Sequence, residues 1–239
     1  PTRRSSDLGD HKTFNIAVSG MKNDGTVIAT IPAGAATDPT GTANPVSTST
    51  DNTVSFDGGP RVTINQAAGQ ADPAKTLPIN YTVVFSEDVS DFTIDDVTIT
   101  STNGETLTGV VTGSGKTYNV AISGATSSTT ITASIAANKV HDVSNNPNTA
   151  STSTDNSVKY DIDKPVIAIT FPTTGSSCTR NTDKLVMSGT ATDTNGVASV
   201  TWADEHGNTG TCTGTDTWSV SNITIHGTSE KITVTATDN

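Results

Sequence analysis

Apolar residues recur at every second position along short runs of this chain, with Ser, Thr, Asn and Lys between them. Such alternation marks half-buried β-strands, whose successive side chains point to opposite faces. It predicts strands over residues 62–65, 79–86, 97–101, 105–112, 117–123, 130–136 and 157–161. Tyr81, Val83 and Phe85 share one face, as do Tyr118, Val120 and Ile122. Turn-forming residues separate the runs at Asn103-Gly104, Gly113-Ser114-Gly115 and Asn145-Asn146-Pro147. A second group of strands is predicted over 166–171, 184–191, 197–203, 217–221 and 231–237. There Val200 aligns with Trp202, Trp218 with Val220, and Ile232 with Val234 and Ala236. No capped helical period persists, and no apolar run reaches the ~18 residues of a membrane helix. The pattern predicts an all-β chain.

The pattern is also written twice. Residues 47–57 read STSTDNTVSFD and residues 151–161 read STSTDNSVKYD, an offset of 104 residues (47 to 151). The same offset lays Thr13-Phe14-Asn15-Ile16-Ala17-Val18-Ser19-Gly20 onto Thr117-Tyr118-Asn119-Val120-Ala121-Ile122-Ser123-Gly124, and Ile31 onto Ile135. A repeat of this length is a structural unit. It predicts the C-terminal half of one domain over residues 9–57, a complete domain over 58–161, and a domain of a second type over 162–239. Residues 1–8, PTRRSSDL, share neither the composition nor the repeat; they resemble a translated sequencing adapter and are read as a non-native scar. The closing Ala236-Thr237-Asp238-Asn239 echoes Ala36-Thr37-Asp38, after which the first unit continues into another strand. On this reading the last domain lacks its final strand, and the chain is a fragment of a longer gene, truncated in its first and last domains.

Seven short strands in roughly a hundred residues are the pattern of an immunoglobulin-like sandwich, and a buried Trp on the third strand, here Trp202, is a feature of that fold. The residues carry a resemblance as well. Pro165-Val166-Ile167, Ser188-Gly189-Thr190-Ala191-Thr192-Asp193, Val200-Thr201-Trp202 and Ile232-Thr233-Val234-Thr235-Ala236-Thr237-Asp238-Asn239 resemble a bacterial Ig-like domain. Val62-Thr63-Ile64-Asn65-Gln66-Ala67 and Phe85-Ser86-Glu87-Asp88-Val89 resemble another bacterial Ig-like type. The resemblance implies tandem β-sandwiches from a large secreted or cell-surface protein, in which such units serve mostly as spacers.

Composition narrows the function. Hydrophobic residues make up 32% and charged residues 15%, with a net charge of −11, so a nucleic-acid partner, whose phosphates demand clustered Lys and Arg, is not expected. The junctions Asp57-Gly58-Gly59-Pro60 and Asp161-Ile162-Asp163-Lys164-Pro165 leave almost no linker, so neighbouring domains should touch. Calcium takes six to eight oxygens, and carboxylates from two domains around one ion would fix the angle between them. Asp57, Asp142, Asp161, Asp163, Asp193 and Asp238 are the candidate ligands, and the resemblance to giant adhesins with calcium at such junctions supports that assignment. The alternative is that the aspartates in these loops, Asp38 among them, simply make Asx turns.

Other chemistry weighs less. Glu87, Asp88, Asp91, Asp95 and Asp96 crowd one loop, which reads first as solvated and second as a local calcium site; no apolar pocket or aromatic floor accompanies them as glycoside hydrolysis would require, and aromatics make up only 4%. The four histidines, His11, His141, His206 and His226, show no ligand spacing, and Asp204-Glu205-His206-Gly207-Asn208 reads as a hairpin turn. Trp202 and Trp218 alternate in phase with valines and are expected in the core rather than on a sugar platform. Cys178 and Cys212 could pair or remain free; a bridge would close a loop of about 35 residues, worth ~3–4 kcal/mol in the chain-entropy picture. The expected function is a non-enzymatic structural stalk or spacer of an extracellular, cell-surface, adhesin-like protein. Its partners are the neighbouring Ig-like domains, with a terminal protein or glycan ligand elsewhere. The competing readings are an accessory region of a secreted polysaccharide-active enzyme and a module that binds ligand through its loops.

Overall fold

The computed structural model describes residues 2–7, 9, 12–179 and 182–239. Among these, the chain forms sixteen strands and one 3₁₀ turn, Ile94–Asp96. His11 lies outside the described residues, as do Pro1 and Leu8 of the supposed scar.

Two antiparallel ribbons come first. One pairs β1 (Thr2–Asp7) with β2 (Phe14–Ser19); the other pairs β3 (Gly25–Ile28) with β4 (Thr53–Phe56). The segment read as a scar therefore contributes a paired backbone strand, although the alternation gave no reason to expect one.

The middle of the chain contains β5 (Val62–Gln66), β6 (Ile79–Val89), β7 (Val97–Ser101), β8 (Thr108–Ser123), β9 (Thr129–Ile135) and β10 (Ser157–Tyr160). They form two sheets, ordered β5-β6-β8 and β7-β9-β10. The sequence predicts two strands and a turn where β8 runs without interruption. β8 doubles back at the predicted place: Thr108 Oγ1 donates to Ser123 O at 3.5 Å, and a Cβ on Gly113 would lie 2.5 Å from Thr117 O. Gly113 and Gly115 sit at φ +115° and +68°, a region disfavoured for residues with a Cβ, which lets the chain reverse there. With the two arms of β8 counted separately, the seven strands divide four and three between the sheets, the constant-type immunoglobulin arrangement.

One apolar cluster fills the space between the sheets. Val62, Ile64, Tyr81, Val83, Phe85, Tyr118 and Val120 enter from one side; Val97, Ile131, Ala133, Ile135 and Val158 enter from the other. Phe85, Phe92 and Tyr118 pack edge to face with ring centroids 5.1–6.0 Å apart, a geometry aromatic quadrupoles favour. Tyr81 Oη crosses the core to donate to Ile131 O at 2.7 Å, tying β6 to the opposite sheet. Burial raises its pKa, so the proton needed for that bond is retained.

The last part of the chain repeats this logic with β11 (Val166–Phe171), β12 (Lys184–Thr192), β13 (Val197–Asp204), β14 (Thr209–Thr211), β15 (Thr217–Thr224) and β16 (Ile232–Asp238). The sheets are β11-β12-β15 and β14-β13-β16. Their core holds Leu185, Met187, Ala191, Val197, Val200, Cys212, Trp218 and Ile223. Trp218 is fully buried, and Trp202 packs against the same cluster, so both tryptophans serve the core as the alternation implied. Room for Trp218 comes from Gly189, where a Cβ would lie 2.6 Å from the indole ring and 1.9 Å from Ala168 O. Strand β14 is not predicted from sequence: Thr209-Gly210-Thr211 has no apolar alternation, and Gly210 instead lies flat against the Trp202 ring. The chain is all-β and built as Ig-like β-sandwiches.

Candidate functional site

Where the two sandwiches meet, the end of β10 leads through Asp161 into β11 with four intervening residues, 162–165. The loop after β12 brings in Asp193, and the end of β16 brings in Asp238. One carboxylate oxygen from each of Asp161, Asp193 and Asp238 lies within 4.8 Å of the other two. Two oxygens on one calcium ion, each at 2.3–2.6 Å, stand at most about 5 Å apart, so this spacing suits a shared divalent cation.

The surroundings differ for each ligand. Asp161 is buried; its Oδ1 accepts from Ser128 Oγ and Asp163 N, each at 3.0 Å, and its Oδ2 accepts from Asn195 Nδ2 across the junction. Burial alone would raise its pKa, but the donors Asn195, Asp163 and Ser128 and the Lys75 charge together hold it below the usual 3.8. Asp193 Oδ1 accepts from Asn195 N at 2.8 Å, an Asx turn that aims the loop. Asp238 is the least satisfied: its Oδ1 is buried without a hydrogen-bond partner, and its Oδ2 stands 3.6 Å from Lys75 Nζ. Lys75 also donates to Asp238 O at 3.2 Å, so one ammonium offsets part of a triply acidic cluster. Lys159 Nζ adds a further link across the junction, donating to Asn195 Oδ1 at 3.2 Å.

The preceding junction carries a related arrangement. Oxygens of Asp24, Asp57 and Glu87 lie within 4.8 Å of one another, and Asp24 Oδ1 accepts from Gly58 N at 2.7 Å. At the equivalent place of the other junction, Ser128 Oγ accepts from Ile162 N at 3.0 Å, so a hydroxyl stands where the first junction has a carboxylate. Glu87 has a raised pKa, chiefly from burial and then from Asp24, Asp142 and Asp57, with Lys116 partly opposing. The Gly59 backbone packs so closely on Pro147 that a Cβ would lie 1.8 Å from the proline carbonyl oxygen.

The structure brings together Asp161, Asp193 and Asp238, and places Asp57 with Asp24 and Glu87. It does not bring Asp142 or Asp163 into either cluster. Asp142 is consumed by its own turn, accepting from Ser144 N and Asn146 N at 2.8 Å and from Asn146 Nδ2 at 2.9 Å. Asp163 is exposed and contributes its backbone N–H instead. Asp38 closes the same kind of turn on Thr40 N and Thr42 N. The sequence reading missed Asp24, Asn195 and Lys75.

The acidic loop disperses. Asp91 accepts from His141 N and pairs with its Nδ1 at 2.9 Å, and Asp96 Oδ2 accepts from Thr93 N and Thr93 Oγ1. Glu87 alone turns toward a junction. Cys178 and Cys212 are free thiols, the first exposed on a loop and the second buried in the last core, so the bridge weighed from sequence is not formed here. Burial raises the Cys212 thiol pKa.

No described helix is long and apolar enough to cross a membrane. No curated protein and no solved structure matches the chain. A family model does match, over residues 57–162. Modules of that family are typically non-catalytic structural or accessory units and are commonly extracellular. The match runs from Asp57 through the sandwich of β5–β10 to Ile162, and this part of the chain is a bacterial Ig-like domain.

Proposed function

We propose that the chain is a stretch of structural stalk from an extracellular, cell-surface, adhesin-like protein, in which successive Ig-like units over residues 9–57, 58–161 and 162–239 are held at fixed angles by calcium at their junctions. The observation that carries this reading is the convergence of Asp161, from one sandwich, with Asp193 and Asp238 from the next, around a buried Asp238 oxygen that no protein group satisfies. A buried unpartnered carboxylate oxygen is costly, and a divalent ion bound by oxygens would satisfy it. Asn195 and backbone carbonyls or water would complete six to eight ligands. The unit on either side needs no active site for this role, since each buries its own core and the junction supplies geometry.

Calorimetric titration of the intact chain with Ca²⁺ tests the proposal. Wild type should take up calcium with a rise in melting temperature, by the mass-action stabilisation that any native-state ligand gives. Asp193→Asn and Asp238→Asn should each lose at least tenfold in affinity at one site while leaving the Asp24, Asp57 and Glu87 cluster intact. Identical titrations for wild type and both variants, or a melting temperature indifferent to chelator, would remove calcium from the junction.

A further inference from the structure

The far end of the last sandwich gathers a different set of donors. β13 begins at Val197, paired with Asp238, and ends at Asp204, paired with Ile232. At ~3.3 Å per residue the two ends of this strand lie about 23 Å apart, so the donors at the far end act independently of the junction and of calcium. Two loops meet there. The β13–β14 hairpin carries His206, and the segment between β15 and β16 carries His226 and Glu230.

The hairpin is shaped by Asp204, whose Oδ1 accepts from His206 N at 2.9 Å and Asn208 N at 2.7 Å, while Oδ2 accepts from Asn208 Nδ2 at 2.7 Å. In the facing loop, Glu230 Oε2 accepts from His226 N at 2.6 Å, which fixes the carboxylate and leaves Oε1 directed at the imidazoles. His206 Nδ1 lies 3.2 Å and His226 Nδ1 3.7 Å from that one oxygen. The two ring centroids lie 5.0 Å apart, with the ring planes inclined at 52°. The Glu230 side chain is only 1% exposed, whereas each histidine is 48% exposed and open to solvent. Donor atoms of Asp204, His206, His226 and Glu230 all fall within 4.8 Å of one another.

His206 Nδ1 is hydrogen-bonded to Glu230 Oε1 in this structure, and the same spacings also suit a shared ion. A tetrahedral ion with bonds of 2.0–2.1 Å sets its ligands about 3.3 Å apart, and the two histidine–glutamate distances bracket that value. Two imidazoles with carboxylates suit zinc and its first-row neighbours, whereas calcium prefers oxygen alone. We infer that His206, His226 and Glu230, beside the hairpin that Asp204 holds in shape, form a transition-metal site of the zinc class that clamps two loops at the tip of the sandwich.

Zinc titration of the intact Cys178→Ser chain, in excess Ca²⁺ to occupy the carboxylate clusters, provides the test. One Zn²⁺ per chain should bind. His206→Ala and His226→Ala, both at exposed side chains, should each weaken it at least tenfold with the fold retained by circular dichroism. His141→Ala and Asp193→Asn should bind zinc as the parent does. Co²⁺ at the same stoichiometry should give a spectrum of nitrogen and oxygen ligation without thiolate charge transfer. Failure of the parent to bind zinc overturns the assignment. So does undiminished binding in the His206→Ala, His226→Ala double variant, or loss of binding in His141→Ala.

Discussion

Ile31 and Ile135 hold equivalent places in the two copies of the repeat, yet Ile31 is 49% exposed and Ile135 1%. Around them the backbone scheme is the same. β3 pairs with β4 in the register that β9 keeps with β10, Val27 facing Val54 as Ile131 faces Val158. Ile31 N donates to Ser47 Oγ as Ile135 N donates to Ser151 Oγ. Asn52 Nδ2 donates to Ala29 O as Asn156 Nδ2 donates to Ala133 O. Asn44 and Asn148 each bind the chain on both sides of their loop. The polar scheme is local, spanning a few tens of residues, and each copy carries it whole. Burial is not local. The middle copy faces β5, β6 and β7, and among the described residues the first copy has no counterpart of them, so Phe14, Ile16 and Val54 stay exposed where Tyr118, Val120 and Val158 are buried.

The largest effect expected from this difference is in matched truncations of the isoleucines. Ile135→Ala should cost about 2–5 kcal/mol, as buried isoleucines do, whereas Ile31→Ala should stay within about 0.5 kcal/mol. Denaturant unfolding followed by far-ultraviolet circular dichroism would read both. Equal costs would mean that the first copy has a core of its own. The asparagines should separate less. Asn148 is buried, its Oδ1 accepting from Lys139 N and Val140 N at 2.8 and 2.9 Å, so Asn148→Ala strands backbone groups and should cost about 1–3 kcal/mol. Asn44→Ala, at a half-buried site where water can replace the side chain, should cost under about 1 kcal/mol.

The contrast also shows how far the sequence can be read. Alternation located Tyr81, Val83, Phe85, Tyr118, Val120 and Ile135, all of which enter one core. It failed for β14, whose Thr-Gly-Thr carries no alternation and exists because Gly210 fits against Trp202. Of the candidate ligands, Asp161, Asp193 and Asp238 converge, but Asp142 looks the same in sequence and spends its oxygens on Ser144 and Asn146. Whether an aspartate closes its own turn or faces a neighbour depends on which donors lie two and four residues ahead and on what the next unit presents. His226 and Glu230 join His206 only through the return of β16 beside β13, a long-range pairing that no local spacing encodes.

A smaller effect distinguishes the two junctions by pH. Glu87 has a raised pKa, so the folded state holds its proton more tightly than the unfolded chain, and the resulting penalty is absent below about 4.5 and present once pH exceeds the folded value. In calcium-free buffer Glu87→Gln should therefore raise the melting temperature at neutral pH and leave it unchanged at pH 4. Asp161 has the opposite sign. Its lowered pKa contributes stability above 3.8 that disappears as pH falls through the folded value, so Asp161→Asn should destabilise at neutral pH and not in strong acid. Thermal melts across this range would show whether the two carboxylates behave oppositely.

The most direct measurement of the junction is the distance between spin labels placed at Thr98 on β7 and Ser219 on β15, both exposed, in a Cys178→Ser background. With Ca²⁺ the distance distribution should be narrow, and chelation or Asp193→Asn should broaden it. A distribution of the same width with and without calcium, in wild type and variant alike, would contradict a calcium-fixed angle between the two sandwiches.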